Sequence, residues 1–177
     1  MRGLARRTPM LRITVAALLL VSGVAQADVL KVGDRLAELD VAVDARGKAF
    51  KLKAYRQKWI LVTVGAEWCK PCAKELPTWD KLAGELKDKI TFIAIGIDDD
   101  VADAKRFHKK LKLKNMTLVY MPSSKSAVAG KYGGDKMPSS FVIDSNGVVK
   151  LVKDGFSERN ADGELKSMRA ALAKLIP

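Results

Sequence analysis

The stretch VTVGAEWCKPCAKELP, residues 62–77, holds both cysteines of the 177-residue chain. Only Lys70 and Pro71 separate Cys69 from Cys72, and Trp68 precedes them. An apolar run, WILVTV at 59–64, ends just before the pair, and a helical pattern starts at it. The run is β-branched and bounded by turn signals, which predicts a buried strand. In PCAKELPTWDKLAGELKD (71–88), Leu76, Trp79, Leu82 and Leu86 share one helical face. Pro77 lies inside that pattern and should kink the helix, since it removes a backbone donor and crowds the preceding turn.

Three kinds of chemistry suit two cysteines at this spacing. A structural disulfide stabilises mainly by restricting the unfolded chain. A four-residue ring gives only about 2 kcal/mol, against roughly 4.7 for a hundred-residue loop. A structural zinc needs four ligands, and a CxxC pair supplies two. The remaining histidine, His108, reads as a solvated residue beside Lys109 and Lys110. Copper(I) accepts thiolates and thioethers, with Met121 and Met137 as further candidates, but metal binding is the weaker reading and no metal ligand set is assigned. Redox chemistry has the stronger physical basis. A helix N-terminus carries unpaired N–H groups and partial positive charge, which favour thiolate over thiol at the first cysteine. An unperturbed thiol, with pKa near 8.5, is only about 3% ionised at pH 7. Cys69 is then the exposed nucleophile, and Cys72, one turn on and buried, resolves the mixed disulfide. Pro71 suits the first turn, where its missing N–H costs nothing. Lys70 adds positive charge beside the nucleophile.

Outward from this centre the chain alternates strands and helices without repeats. ELDVAVDARGKAFKL predicts a hairpin about Ala45-Arg46-Gly47. ITFIAIGI (90–97) reads as a second buried strand. Residues 100–114 read as an amphipathic helix with Val101, Ala104, Phe107 and Leu111 inward. MTLVYM (116–121) reads as a short strand and KSAVAGKYG (125–133) as a short helix. SFVID (140–144) and VVKLVK (148–153) flank Ser145-Asn146-Gly147, a hairpin signal, and residues 161–176 close the chain as a helix. The order predicts an α/β sheet with helices on both faces.

Residues 1–27 are set aside as a cleaved signal peptide. Arg2, Arg6, Arg7 and Arg12 are their only charges, an apolar run follows to Ala25, and Ala25-Gln26-Ala27 offers small residues for cleavage before Asp28. The apolar run is about 13 residues, short of the roughly 20 that span a bilayer, so an uncleaved membrane anchor is the lesser alternative. Residues 28–177 then form one domain, and the net charge of +12 falls to +8 when the four arginines leave. That balance suits acidic proteins or an anionic membrane surface. Nucleic acid is not an expected partner, because export removes it and no aromatic-basic motif is present.

WCKPC behind its apolar strand resembles the active site of the thioredoxin superfamily. YGGDKMPSSFVIDSNGVV (132–149) resembles its second landmark, a cis-proline ahead of a strand and hairpin. The opening hairpin, the E-x-P within the CxxC helix and the helix after IGIDDD are similar to the exported TlpA/ResA-like branch, over nearly all of residues 28–177. The resemblance implies a thioredoxin-like sheet with helices on both faces, an N-terminal β-hairpin extension and an inserted helix. It implies Cys69 as attacking thiolate, Cys72 as resolving thiol and Pro138 as the cis-proline beside them. Trp68 becomes an aromatic packed over the pair, and the Met137 backbone a docking edge for a client peptide. Two residues depart from the pattern. Thr63 stands where thioredoxin has a buried aspartate six residues before the first cysteine, and Ser139-Ser140 stand where threonines are frequent. Glu67 reads as solvated rather than as a replacement acid.

The expected function is that of a periplasmic thiol–disulfide oxidoreductase without a cofactor, most simply a monomeric reductant. It would take electrons from a membrane thiol reductase and pass them to exported clients such as apocytochrome c. A thiol peroxidase is the lesser enzyme reading, because Ala66 occupies the place where such sites need a threonine. A copper-handling or client-binding module without turnover is the alternative outside enzymology.

Overall fold

A computed structural model describes residues 28–39, 41–122 and 128–177. The expected signal peptide lies outside these residues, as does the start of the short helix expected from residue 125. Six strands form one sheet: β1 (Val43–Asp44), β2 (Trp59–Gly65), β3 (Ile90–Gly96), β4 (Thr117–Tyr120), β5 (Ser139–Ile143) and β6 (Val149–Asp154). Their order is β1-β4-β3-β2-β5-β6. The β4–β3–β2 pairs are parallel, and the β1, β5 and β6 pairings are antiparallel.

The parallel pairs require helical crossovers, supplied by α1 (Cys72–Glu85) and α2 (Val101–Leu111). Both crossovers step in the same direction along the sheet, so both helices lie on one face. There Leu76, Trp79 and Leu82 of α1 and Phe107 of α2 pack with Leu61, Phe92 and Val142. Leu165, Met168 and Leu172 of α4 (Ala161–Leu175) complete this layer. The opposite face carries Ile60, Val62, Val64, Ile93 and Ile95, the alternate residues of the same strands. It is covered by the segment from Leu30 to Leu52 and by the short α3 (Val128–Lys131), through Ala129. The Glu38 carboxylate holds that segment by accepting the N–H groups of Leu52 and Lys53, which open a 3-10 turn.

Two expectations change in detail. The hairpin at 45–47 forms its turn, closed by Asp44 accepting from Arg46 and Lys48, but only two residues become strand, and they pair with β4 at the sheet edge. A single bridge, Val43 to Ala49, is what remains of its second arm. The helical pattern expected over 71–88 forms α1, which contains Pro77 on its exposed side. His108 is not solvated. It is 1% exposed, with both ring nitrogens lacking hydrogen-bond partners among the described residues. It follows Ala104 by one helical turn and packs against the rings of Phe107 and Tyr120, on the buried side that the flanking lysines leave. Burial lowers its pKa from 6.5 to about 4. No helix among the described residues is long and apolar enough to cross a membrane.

Candidate active site

β2 delivers the cysteines at its C-terminal end. Cys69 closes a turn onto the Ala66 carbonyl, Pro71 adopts helical dihedrals ahead of α1, and Cys72 is the first helical residue. The two sulfurs form a disulfide, with Cα atoms 5.3 Å apart. The backbone N–H of Cys72 donates to Cys69 Sγ at 3.3 Å. That donor and the helix terminus stabilise negative charge on Cys69 once the bond is reduced. Cys72 is fully buried and packs over Gly65, where a Cβ would meet the Cys72 Cβ at 3.2 Å. Cys69 is more accessible than Cys72, but at 5% exposure it is not the open nucleophile expected, because the disulfide ties it against the apolar layer under α1. Lys70 is exposed.

The Met137–Pro138 bond is cis. Ser139 pairs with Val64, so Pro138 stands one step beyond, at the end of β2 where Cys72 packs. Met137 is extended (φ −61°, ψ 149°) and packs against the cores on both faces of the sheet. Gly133 makes the approach possible: its φ is 72°, and a Cβ there would lie 2.5 Å from Ser139 Oγ. Trp68 does not cover the pair. Its side chain is 69% exposed, so the ring faces solvent beside the disulfide. Met121 packs in the core on the face opposite the cysteines, which separates it from any thiolate–thioether set.

The residue that the sequence left without a role is Glu75. It sits one turn after Cys72 on the same helix, so their Cβ atoms are roughly 5–6 Å apart, and it is fully buried. Thr63 Oγ1 donates to one carboxylate oxygen at 2.8 Å and Ser140 Oγ to the other at 3.0 Å. The Trp79 indole N–H donates in turn to Ser140 Oγ at 3.1 Å. Burial raises the Glu75 pKa from 4.5 to about 7, against the opposing pull of these hydrogen bonds. The carboxylate missing at Thr63 is therefore supplied from the helix, and Thr63 serves it as a donor. The E-x-P in the CxxC helix was the available signal. Glu67 is exposed as expected, and its N–H donates to the buried carboxylate of Asp98. Burial raises the Asp98 pKa.

Residues 32–152 match the family model described as the AhpC/TSA family. The chain belongs to the AhpC/TSA family. This family member is 32% identical over 130 residues to a thiol-disulfide oxidoreductase ResA of Bacillus cereus, covering 72% of this chain and 73% of that protein. It is 25% identical over 109 residues to the thioredoxin-like protein YneN of Bacillus subtilis (strain 168), covering 62% and 64%. Its fold matches a structure assigned as the thiol:disulfide interchange protein DsbE from Chlorobium tepidum, with TM-score 0.67, 26% identity and coverage of 81% and 99%. It also matches the pneumococcal exposed lipoprotein thioredoxin Etrx1, with TM-score 0.58, 26% identity and coverage of 74% and 99%. Within the family the chain falls in the TlpA/ResA-like branch, and it is a thiol–disulfide oxidoreductase with a CxxC cysteine pair.

Proposed function

We propose that this family member is a periplasmic, monomeric reductant of disulfides on exported clients. The observation that carries the reading is the pairing of a CxxC disulfide at a helix N-terminus with a buried carboxylate one turn along. In the reduced enzyme the Cys69 thiolate attacks a client disulfide. A Cys69–client S–S bond forms, the client S–S bond breaks, and the first client thiolate takes a proton from solvent. Cys72 then gives its proton to Glu75 and attacks Cys69 Sγ. The Cys69–Cys72 bond forms and the second client thiolate leaves, taking the proton from Glu75. Two electrons pass from the cysteine pair to the client. A carboxylate with pKa about 7 is matched to accept and return that proton near neutral pH.

The exposed Trp68 ring and the extended Met137 backbone lie where a client strand would approach, which suits recognition by strand addition. The basic, apolar and small-residue pattern of residues 1–27 supports export. A membrane thiol reductase would restore the dithiol. The TlpA/ResA-like resemblance favours apocytochrome c as client, whose haem-binding thiols must be reduced before attachment. Equilibration of the Cys69–Cys72 pair with glutathione tests the direction. A potential well below about −180 mV is expected. A value near or above it would place the protein with isomerases and oxidants and overturn the reductive reading.

A further inference from the structure

Glu75 is buried among neutral donors: Thr63 from β2, Ser140 from β5, and Trp79 of its own helix acting through Ser140. The cation that acts on it comes from β6. Lys153 pairs directly with Ser140 in the β5–β6 register, so the two side chains leave the sheet on the same face. That face is the one packed by α1 and α4. The Lys153 side chain is only 20% exposed, and three contacts fix it. Its Nζ donates to the Gly155 carbonyl at 2.6 Å. It pairs with the Glu164 carboxylate of α4 at 3.0 Å. It lies 5.8 Å from the centre of the Phe156 ring, which itself stands edge-on to Trp79. The neighbouring Asp154 takes no part, since its carboxylate accepts from Ser139 Oγ.

We propose that Lys153 is a positioning residue of the active site: anchored by Glu164 and the Gly155 carbonyl, it faces Glu75 across Ser140 and favours the ionised carboxylate that receives the Cys72 proton. The inference rests on the role given to Glu75 above. Burial favours the neutral carboxyl, while the hydrogen bonds it accepts and, to a smaller degree, a nearby cation favour its ionised form. Lys153 offsets part of that penalty without contacting the reacting sulfurs. Its attraction for Glu75 lowers the pKa that burial raises. Glu164 shares the same ammonium, so the lysine is held in place rather than free to swing into water.

Two readouts on the whole protein test this. Carbon NMR of the Glu75 carboxyl follows its titration directly, with Glu75→Gln identifying the signal. The pH dependence of reduction of a disulfide peptide follows its use. Lys153→Met should move the Glu75 titration up, and the pH–rate profile with it. Lys153→Arg, which keeps the charge, should leave both where the unsubstituted protein has them. If Lys153→Met does not fold, Lys153→Gln gives the same comparison. A Glu75 titration that stays in place when the lysine charge is removed overturns the role of Lys153 and leaves that of Glu75 intact. A Glu75→Gln variant with an unchanged pH–rate profile overturns the reading of Glu75, and the role of Lys153 with it.

Discussion

At the scale of single residues, the chemistry turns on a carboxylate that has moved from strand to helix. Thr63 cannot accept a proton from Cys72, but it donates to Glu75, which can. Glu75→Gln keeps the shape and the hydrogen-bonding capacity of the site while removing the base. It should slow reduction of a disulfide substrate at neutral pH by of order a hundred-fold, the lower end of general acid–base contributions. The attack of Cys69 on an alkylating reagent should be nearly unaffected. Stopped-flow comparison of the two reactions checks this, and equal slowing of both would point to structural damage instead. Glu75 was hard to read because a glutamate in the first turn of a helix ordinarily faces water and complements the helix dipole. Its role as a buried acceptor depends on tertiary partners, Thr63 of β2 and Ser140, 65 residues on.

At the scale of elements, α2 lies close enough to β3 that Gly96 has no room for a side chain. A Cβ there would stand 2.8 Å from the Ala104 Cβ and 3.4 Å from both the His108 and Tyr120 rings. Gly96→Ala should therefore destabilise the protein by about 1–3 kcal/mol, the usual cost of overpacking. Urea unfolding would record this as a lower midpoint, and an unchanged midpoint would mean that α2 shifts freely. The same packing explains what the sequence disclosed and what it did not. β2, β3 and the Asn-Gly hairpin were legible because their apolar runs and turn residues are local signals. The cysteine helix was legible from the spacing of Leu76, Trp79 and Leu82. His108 was not, because its burial depends on Gly96 and Tyr120 arriving from two other elements, while its sequence neighbours are lysines. The edge strand β1 was not either: two residues carry no periodicity, and their partner β4 is more than seventy residues away. Trp68 was placed over the disulfide by resemblance alone, and the loop turns it outward.

For the whole molecule, two buried groups set opposite pH dependences. Glu75, raised from 4.5 to about 7, favours the folded state fully below about 4.5, and that contribution is lost as pH rises through 7. His108, lowered from 6.5 to about 4, contributes fully above about 6.5, and that contribution is lost as pH falls through 4. Each amounts to about 3 kcal/mol, so the slopes from these two groups nearly cancel between about pH 4.5 and 6.5. Substitution should unmask them. Glu75→Gln should lose stability more steeply as pH falls from about 6.5 to 4.5, and His108→Phe more steeply as pH rises from about 4.5 to 6.5. Urea unfolding of the oxidised variants across this range reads both, and identical slopes would contradict the burial of one group. The central claim concerns the cysteines, and covalent trapping tests it most directly. With Cys72→Ser, the resolving thiol is gone and the mixed disulfide should persist. Incubated with a disulfide-containing client peptide, this variant should form an adduct that peptide mapping places at Cys69 and that reductant releases. No adduct at Cys69, or an equal yield through Cys72 in the Cys69→Ser protein, would contradict the account.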